Sequence, residues 1–128
     1  MNYSTDNTRI IDKVDLVTPN DVISKYPLTD EISKLVYGTR NEVSQILHGK
    51  DDRLIAVVGP CSIHDPDSAQ EYAKLLIDEK KKYEEDILLI MRVYFEKPRT
   101  SIGWKGLIND PDMDNTFDAN KGLFLARS

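Results

Sequence analysis

"LIAVVGPCSIHDP", Leu54 to Pro66, runs from five aliphatic residues through a turn into a helix start. A continuous apolar run with β-branched residues predicts a strand buried on both faces, as in a parallel sheet. After the turn, Asp65 can accept from orphan helix N–H groups, and Pro66 suits the first helical position. Ala69, Tyr72, Ala73 and Leu76 then fall on one helical face. The charged end of that helix, "DEKKKYEED" (Asp78–Asp86), reads as a solvated surface. "ILLIMRVYF", Ile87 to Phe95, is a second buried strand. Strand, helix and strand of these lengths predict a βαβ unit with parallel strands and a right-handed crossover.

Toward the N-terminus, "RIIDKVDLV" (Arg9–Val17) predicts one further strand. Thr18 with Pro19 opens a short helix that Pro27 ends. A longer helix follows, with Ile32, Leu35, Val36, Val43, Ile46 and Leu47 on one apolar face. Gly49 is its stop, and His48 sits at its solvent-facing end, where positive charge is favourable. At the other extreme, "DANKGLFLARS" (Asp118–Ser128) predicts a helix with Leu123 and Ala126 on one face.

Composition narrows the class. Of the 128 residues, 40% are hydrophobic and 30% charged, which suits a globular domain. The net charge of −5 argues against a nucleic-acid partner. The single cysteine, Cys61, excludes an internal disulfide and agrees with a reducing compartment. "MNYSTDNTRI" lacks the apolar core of a signal peptide, and "LIAVV" and "ILLIM" are far too short to cross a bilayer. A cytoplasmic protein with no membrane partner is expected.

Parallel strands deliver their following loops to the same end of the sheet, where α/β folds bind ligands. Those loops are "GPCSIHD" and "FEKPRTSIGWKG". Residues 92–106 carry Arg92, Lys97, Arg99 and Lys105 against Glu96 alone, a local +3 in an acidic chain. Arginine forks and lysine point charges suit phosphate oxygens, and Thr100 adds a hydroxyl donor. A site for phosphorylated small molecules follows. Arg92 favours it over a mere balance of surface charge, because it interrupts an apolar strand where an unpaired charge is costly. Cys61 is more ambiguous. It can be a small buried side chain, a thiolate metal ligand with His64 as a second candidate, or half of a Cys–His pair. A redox role lacks a resolving cysteine. One cysteine does not complete a metal site.

"GPCSIHDP" together with "MRVYFEKPRTSIGWKGLINDPDMDN" (Met91–Asn115) resembles the class I, microbial type of 3-deoxy-D-arabino-heptulosonate 7-phosphate (DAHP) synthase. The likeness is contiguous over residues 54–126, and "DDRL" before the first strand resembles the end of that family's N-terminal extension. The resemblance implies an enzyme that condenses phosphoenolpyruvate with D-erythrose 4-phosphate and releases phosphate, opening the shikimate pathway. It implies a divalent metal of the Mn, Fe, Co or Zn class with Cys61 as a ligand. It places Arg92 on phosphoenolpyruvate, Lys97 as the catalytic residue between the substrates, and Arg99 and Thr100 on the phosphate of erythrose 4-phosphate. His64, Trp104, Lys105 and Gly106 belong to the motif without an implied role. The extension, residues 1–50, would build a dimer or tetramer and a feedback site for an aromatic amino acid, with Asp6 and Asn7 as candidates.

The family's fold is a (β/α)8 barrel of roughly 250 residues. Residues 51–128 hold at most its first two strands and helices, so the chain is expected to be the N-terminal part of a longer enzyme and inactive alone. A non-catalytic interaction or phosphate-binding module is the alternative.

Overall fold

The computed structural model describes residues 5–10, 12–97 and 102–128. Its elements run α1 (Pro19–Lys25), α2 (Asp30–Leu47), β1 (Leu54–Val58), α3 (Pro66–Tyr83), β2 (Ile87–Met91) and α4 (Ala119–Arg127). β1 and β2 pair in parallel with no offset, Leu54 opposite Ile87 through to Val58 opposite Met91. The expected βαβ unit is therefore present as an α/β arrangement, with α3 packed against β2.

The helix boundaries follow local chemistry. Thr18 and Asp21 form a reciprocal capping box ahead of α1. The Thr29 hydroxyl accepts from the Ile32 N–H and opens α2, and the Asp118 carboxylate accepts from the Lys121 N–H and opens α4. Asp65 caps α3, with Pro66 first in the helix as its sequence predicts.

At the N-terminal end of the sheet, Arg53 binds Asp51 through Nε and Nη2, the latter at 2.8 Å. Nη2 also donates to Glu42 of α2 at 3.0 Å, and Nη1 donates to the Glu84 carbonyl after α3 at 3.2 Å. One guanidinium thus ties the two long helices to the start of β1. The Arg53 hydrogen bonds hold the Asp51 carboxyl below its ordinary range.

Three expectations need correction. Arg9–Val17 contains no strand among its described residues; Val14 and Leu16 stay exposed. Among the described residues no sheet edge pairs with this segment. Asn120 of α4 secures it instead, accepting from the Val17 N–H at 2.8 Å and donating to the Asp15 carbonyl at 3.1 Å. β1 is not buried on both faces, since Leu54 is 71% and Val57 59% exposed. In the described residues the sheet has two strands, and no third layer covers those positions. β2 ends at Met91, short of the Phe95 expected from its apolar run. The Arg92 N–H still donates to the Val58 carbonyl at 2.6 Å, but the partner chain turns away at Gly59.

Gly59 has a φ of +155°, and a Cβ there would press on the backbone and Cβ of Arg92. Only glycine lets the two chains stay this close as they leave the sheet. Gly38, inside α2, has open space where its Cβ would be. Gly59→Ala should therefore destabilise the protein by about 1–3 kcal/mol, whereas Gly38→Ala should stabilise it by about 0.5–1 kcal/mol. Chemical denaturation of both variants checks the opposite signs.

Candidate functional site

Both loops leave the sheet at the C-terminal ends of β1 and β2 and are bonded to each other. The Ile63 N–H donates to the Tyr94 carbonyl at 2.7 Å, and Arg92 Nη1 donates to the Pro60 carbonyl at 3.3 Å. Ile63 is buried, which fixes the turn, while the neighbouring Cys61 is exposed. Lys97 Nζ lies 3.7 Å from Cys61 Sγ. The mouth thus joins a thiol from one loop to an ammonium from the other, 36 residues apart. The exposed sulfur of Cys61 is accessible to a ligand entering this mouth.

Arg92 lies just beyond β2 and is exposed. The burial cost expected for a charge inside an apolar strand therefore does not arise. Its guanidinium lies 5.1 Å from the centre of the Tyr94 ring, a cation–π contact that steadies it at the mouth. Arg99 and Thr100 lie outside the described residues. His64 is exposed beside the α3 cap. Asp6 and Asn7 belong to an exposed N-terminal turn closed by the Ile10 N–H on the Asn7 carbonyl.

The basic loop has a folded base. The Lys97 N–H donates to the Lys105 carbonyl at 2.9 Å, and the Leu107 N–H donates to the Phe95 carbonyl at 2.8 Å. Glu96 and Gly106 face each other in this short antiparallel ribbon. Gly106, at φ +129°, has no room for a Cβ against Phe95 and Glu96. Sequence reading assigned no role to Trp104 and missed Asn109. Trp104 Nε1 donates to the Asp110 carbonyl, and Asn109 Nδ2 donates to Glu96 Oε2, both at 2.6 Å. The signal was the "WKG" turn beside "ND", but no periodicity marks such a contact.

A cavity of about 330 Å³ lies behind the cysteine turn, lined in part by Pro60, Ser62, Asp65, Ser68 and Tyr72. A larger apolar groove, about 660 Å³, runs between α2, α3 and β2. Its lining includes neither Cys61 nor the basic loop. No group of three or more His, Cys, Asp or Glu side chains is arranged to hold a metal ion among the described residues. Cys61 can supply one donor, and the donor set is incomplete here. No helix among the described residues is long and apolar enough to cross a membrane.

Comparison with known proteins gives a consistent set. A model of the DAHP synthetase I family matches residues 25–126. The chain is 49% identical over 127 residues to the Phe-sensitive phospho-2-dehydro-3-deoxyheptonate aldolase of Escherichia coli K12, covering 99% of the chain and 36% of that protein. It is 53% identical over 125 residues to the phospho-2-dehydro-3-deoxyheptonate aldolase of Haemophilus influenzae, covering 97% and 34%. The solved phospho-2-dehydro-3-deoxyheptonate aldolase of Francisella tularensis superposes with a TM-score of 0.87 at 54% identity, covering 91% of this chain and 34% of that one. The chain spans about a third of the length of these two curated relatives.

The Asp65 cap gives the mouth a testable pH response. The Ser68 hydroxyl does most to lower the Asp65 carboxyl below its ordinary value; burial opposes it, and the Asp67 and Ser68 N–H groups lower it further. A lowered folded value contributes stability that is present above the unfolded value and lost as pH falls through the folded one. The stability advantage over Asp65→Ala should be constant above about pH 5 and shrink on acidification. Urea melts of both proteins across that range measure it.

Proposed function

The chain belongs to the DAHP synthetase I family, and from that membership we propose that the protein carrying it condenses phosphoenolpyruvate with D-erythrose 4-phosphate to DAHP. The new carbon–carbon bond joins the enol methylene carbon to the aldehyde carbon. Water supplies the oxygen that balances departure of inorganic phosphate. The observation that best supports this reading in the molecule is the Lys97 ammonium 3.7 Å from the Cys61 thiol at the mouth of a parallel pair.

Two polyanionic substrates repel each other, so a site that joins them needs fixed cations. Arg92 offers its guanidinium to phosphoenolpyruvate. Arg99 and Thr100 take the phosphate of the aldose. Lys97, between them, holds a proton at Nζ toward the aldehyde oxygen that gains negative charge during attack. Holding both partners in reacting geometry supplies much of the rate.

Cys61 is proposed as one donor to a divalent ion of the Mn, Fe, Co or Zn class, with the remaining donors contributed from outside the described residues. Such an ion polarises a carbonyl oxygen as a Lewis acid. We assign residues 51–128 to the first part of a (β/α)8 barrel and residues 1–50 to an extension for subunit contacts. The exposed Ile32, Leu35 and Leu47 of α2 support that second assignment. Feedback by an aromatic amino acid, with Asp6 and Asn7 in its site, is part of the same proposal. Relatives named Phe-sensitive and Trp-sensitive support regulation of this kind.

Mixing the protein that carries this chain with both substrates should release phosphate and form DAHP in equal amounts, and neither substrate alone should do so. Lys97→Ala should lower the rate by at least about 100-fold. In equilibrium dialysis, Cys61→Ser should weaken divalent-metal binding by more than about 100-fold, beyond the cost of losing an outer partner of a ligand. Wild-type metal affinity in that variant would remove Cys61 from the donor set.

A further inference from the structure

The turn at residues 107–110 is packed into the molecule through Leu107 and Asp110. Leu107 is 1% and Asp110 3% exposed, and the Asp110 N–H donates to the Gly106 carbonyl at 3.0 Å. Both arms of the basic loop are bonded to this turn. On the first arm, Glu96 accepts from Asn109 Nδ2. On the second, Trp104 Nε1 donates to the Asp110 carbonyl. Each of these residues immediately precedes a lysine, Lys97 or Lys105. The main chain of the two lysines is itself joined, the Lys97 N–H on the Lys105 carbonyl.

We infer that Asn109 and Trp104 are positioning residues that lock the backbone at Lys97 and Lys105 to the buried 107–110 turn, and so set the geometry with which these two lysines receive an anionic substrate. The inference rests on the function proposed above. Neither side chain needs to touch substrate. Asn109 is exposed and contributes little to the core, so its 2.6 Å bond is not explained by burial. Trp104 is half-buried, and its indole N–H is satisfied only because the loop closes back on Asp110. Two short hydrogen bonds at the base limit how far Lys97 can swing from Cys61. Small displacements of positioning groups cost large factors in rate or affinity.

The experiment uses the protein in its native form and three variants: Asn109→Ala, Trp104→Phe and Glu96→Gln. Asn109→Ala deletes the first lock, Trp104→Phe removes only the indole donor, and Glu96→Gln keeps an acceptor oxygen for Asn109. Hydrogen exchange at the Lys97 and Leu107 amides reads the ribbon directly. Exchange should quicken about tenfold in Asn109→Ala and Trp104→Phe, and stay at the wild-type rate in Glu96→Gln. The KM for erythrose 4-phosphate should rise about tenfold in the same two variants, with the KM for phosphoenolpyruvate within about twofold. Wild-type exchange in both lock variants overturns the inference. Faster exchange with unchanged KM for erythrose 4-phosphate overturns it equally, because the locks would then be purely structural. If the wild-type protein forms no DAHP, the functional reading fails, and the exchange rates still judge the locks.

Discussion

The parallel, zero-offset pairing of β1 with β2 is the constraint from which the site follows. Antiparallel strands would send the loops after Val58 and Met91 to opposite ends of the sheet. The parallel pair sends both to one end, where Ile63 bonds to Tyr94 and Arg92 to Pro60. The 18-residue α3 returns the chain to the starting end between the two strands. Arg53 holds that starting end through Asp51, Glu42 and the Glu84 carbonyl. The clamp and the mouth therefore occupy opposite ends of the same strands, which separates fixing the sheet from presenting reactive groups.

At the mouth, rigidity and exposure are divided between neighbouring residues. Ile63 and Ser62 are buried while Cys61 is exposed; Leu107 and Asp110 are buried while Lys105 is exposed. Each reactive side chain borrows its position from a packed residue close by in sequence. The arrangement keeps polar heads in water, where charge is inexpensive, while their backbone is held by burial. Glycine makes this possible at Gly59 and Gly106, where any Cβ would collide with the facing chain.

Much of this was legible in the residues. The β-branched run of Leu54–Val58, the Asp65–Pro66 helix start and the second run from Ile87 define the βαβ unit through local propensity alone. Placing Cys61 and the basic loop together needed only the parallel topology. The end of β2 was not legible, because Val93 and Phe95 continue the apolar pattern after the hydrogen-bond ladder stops. Ladder length depends on where the partner chain turns, which is a property of Gly59. The absence of a strand in the described residues of Arg9–Val17 was hidden for a similar reason, since the alternation suits a strand but no edge receives it. The Asn109–Glu96 and Trp104–Asp110 bonds depend on how a loop closes on itself, and no periodic signal encodes that.

The central claim is that Cys61 and the basic loop form one substrate mouth. Its most direct measurement is the alkylation rate of Cys61 by iodoacetamide in the native protein, read from the peptide containing that residue. Phosphoenolpyruvate, placed against Arg92 at the same mouth, should slow alkylation of the thiol 3.7 Å from Lys97 Nζ, and a divalent metal should slow it further. Alkylation at the same rate with and without substrate and metal would contradict the account.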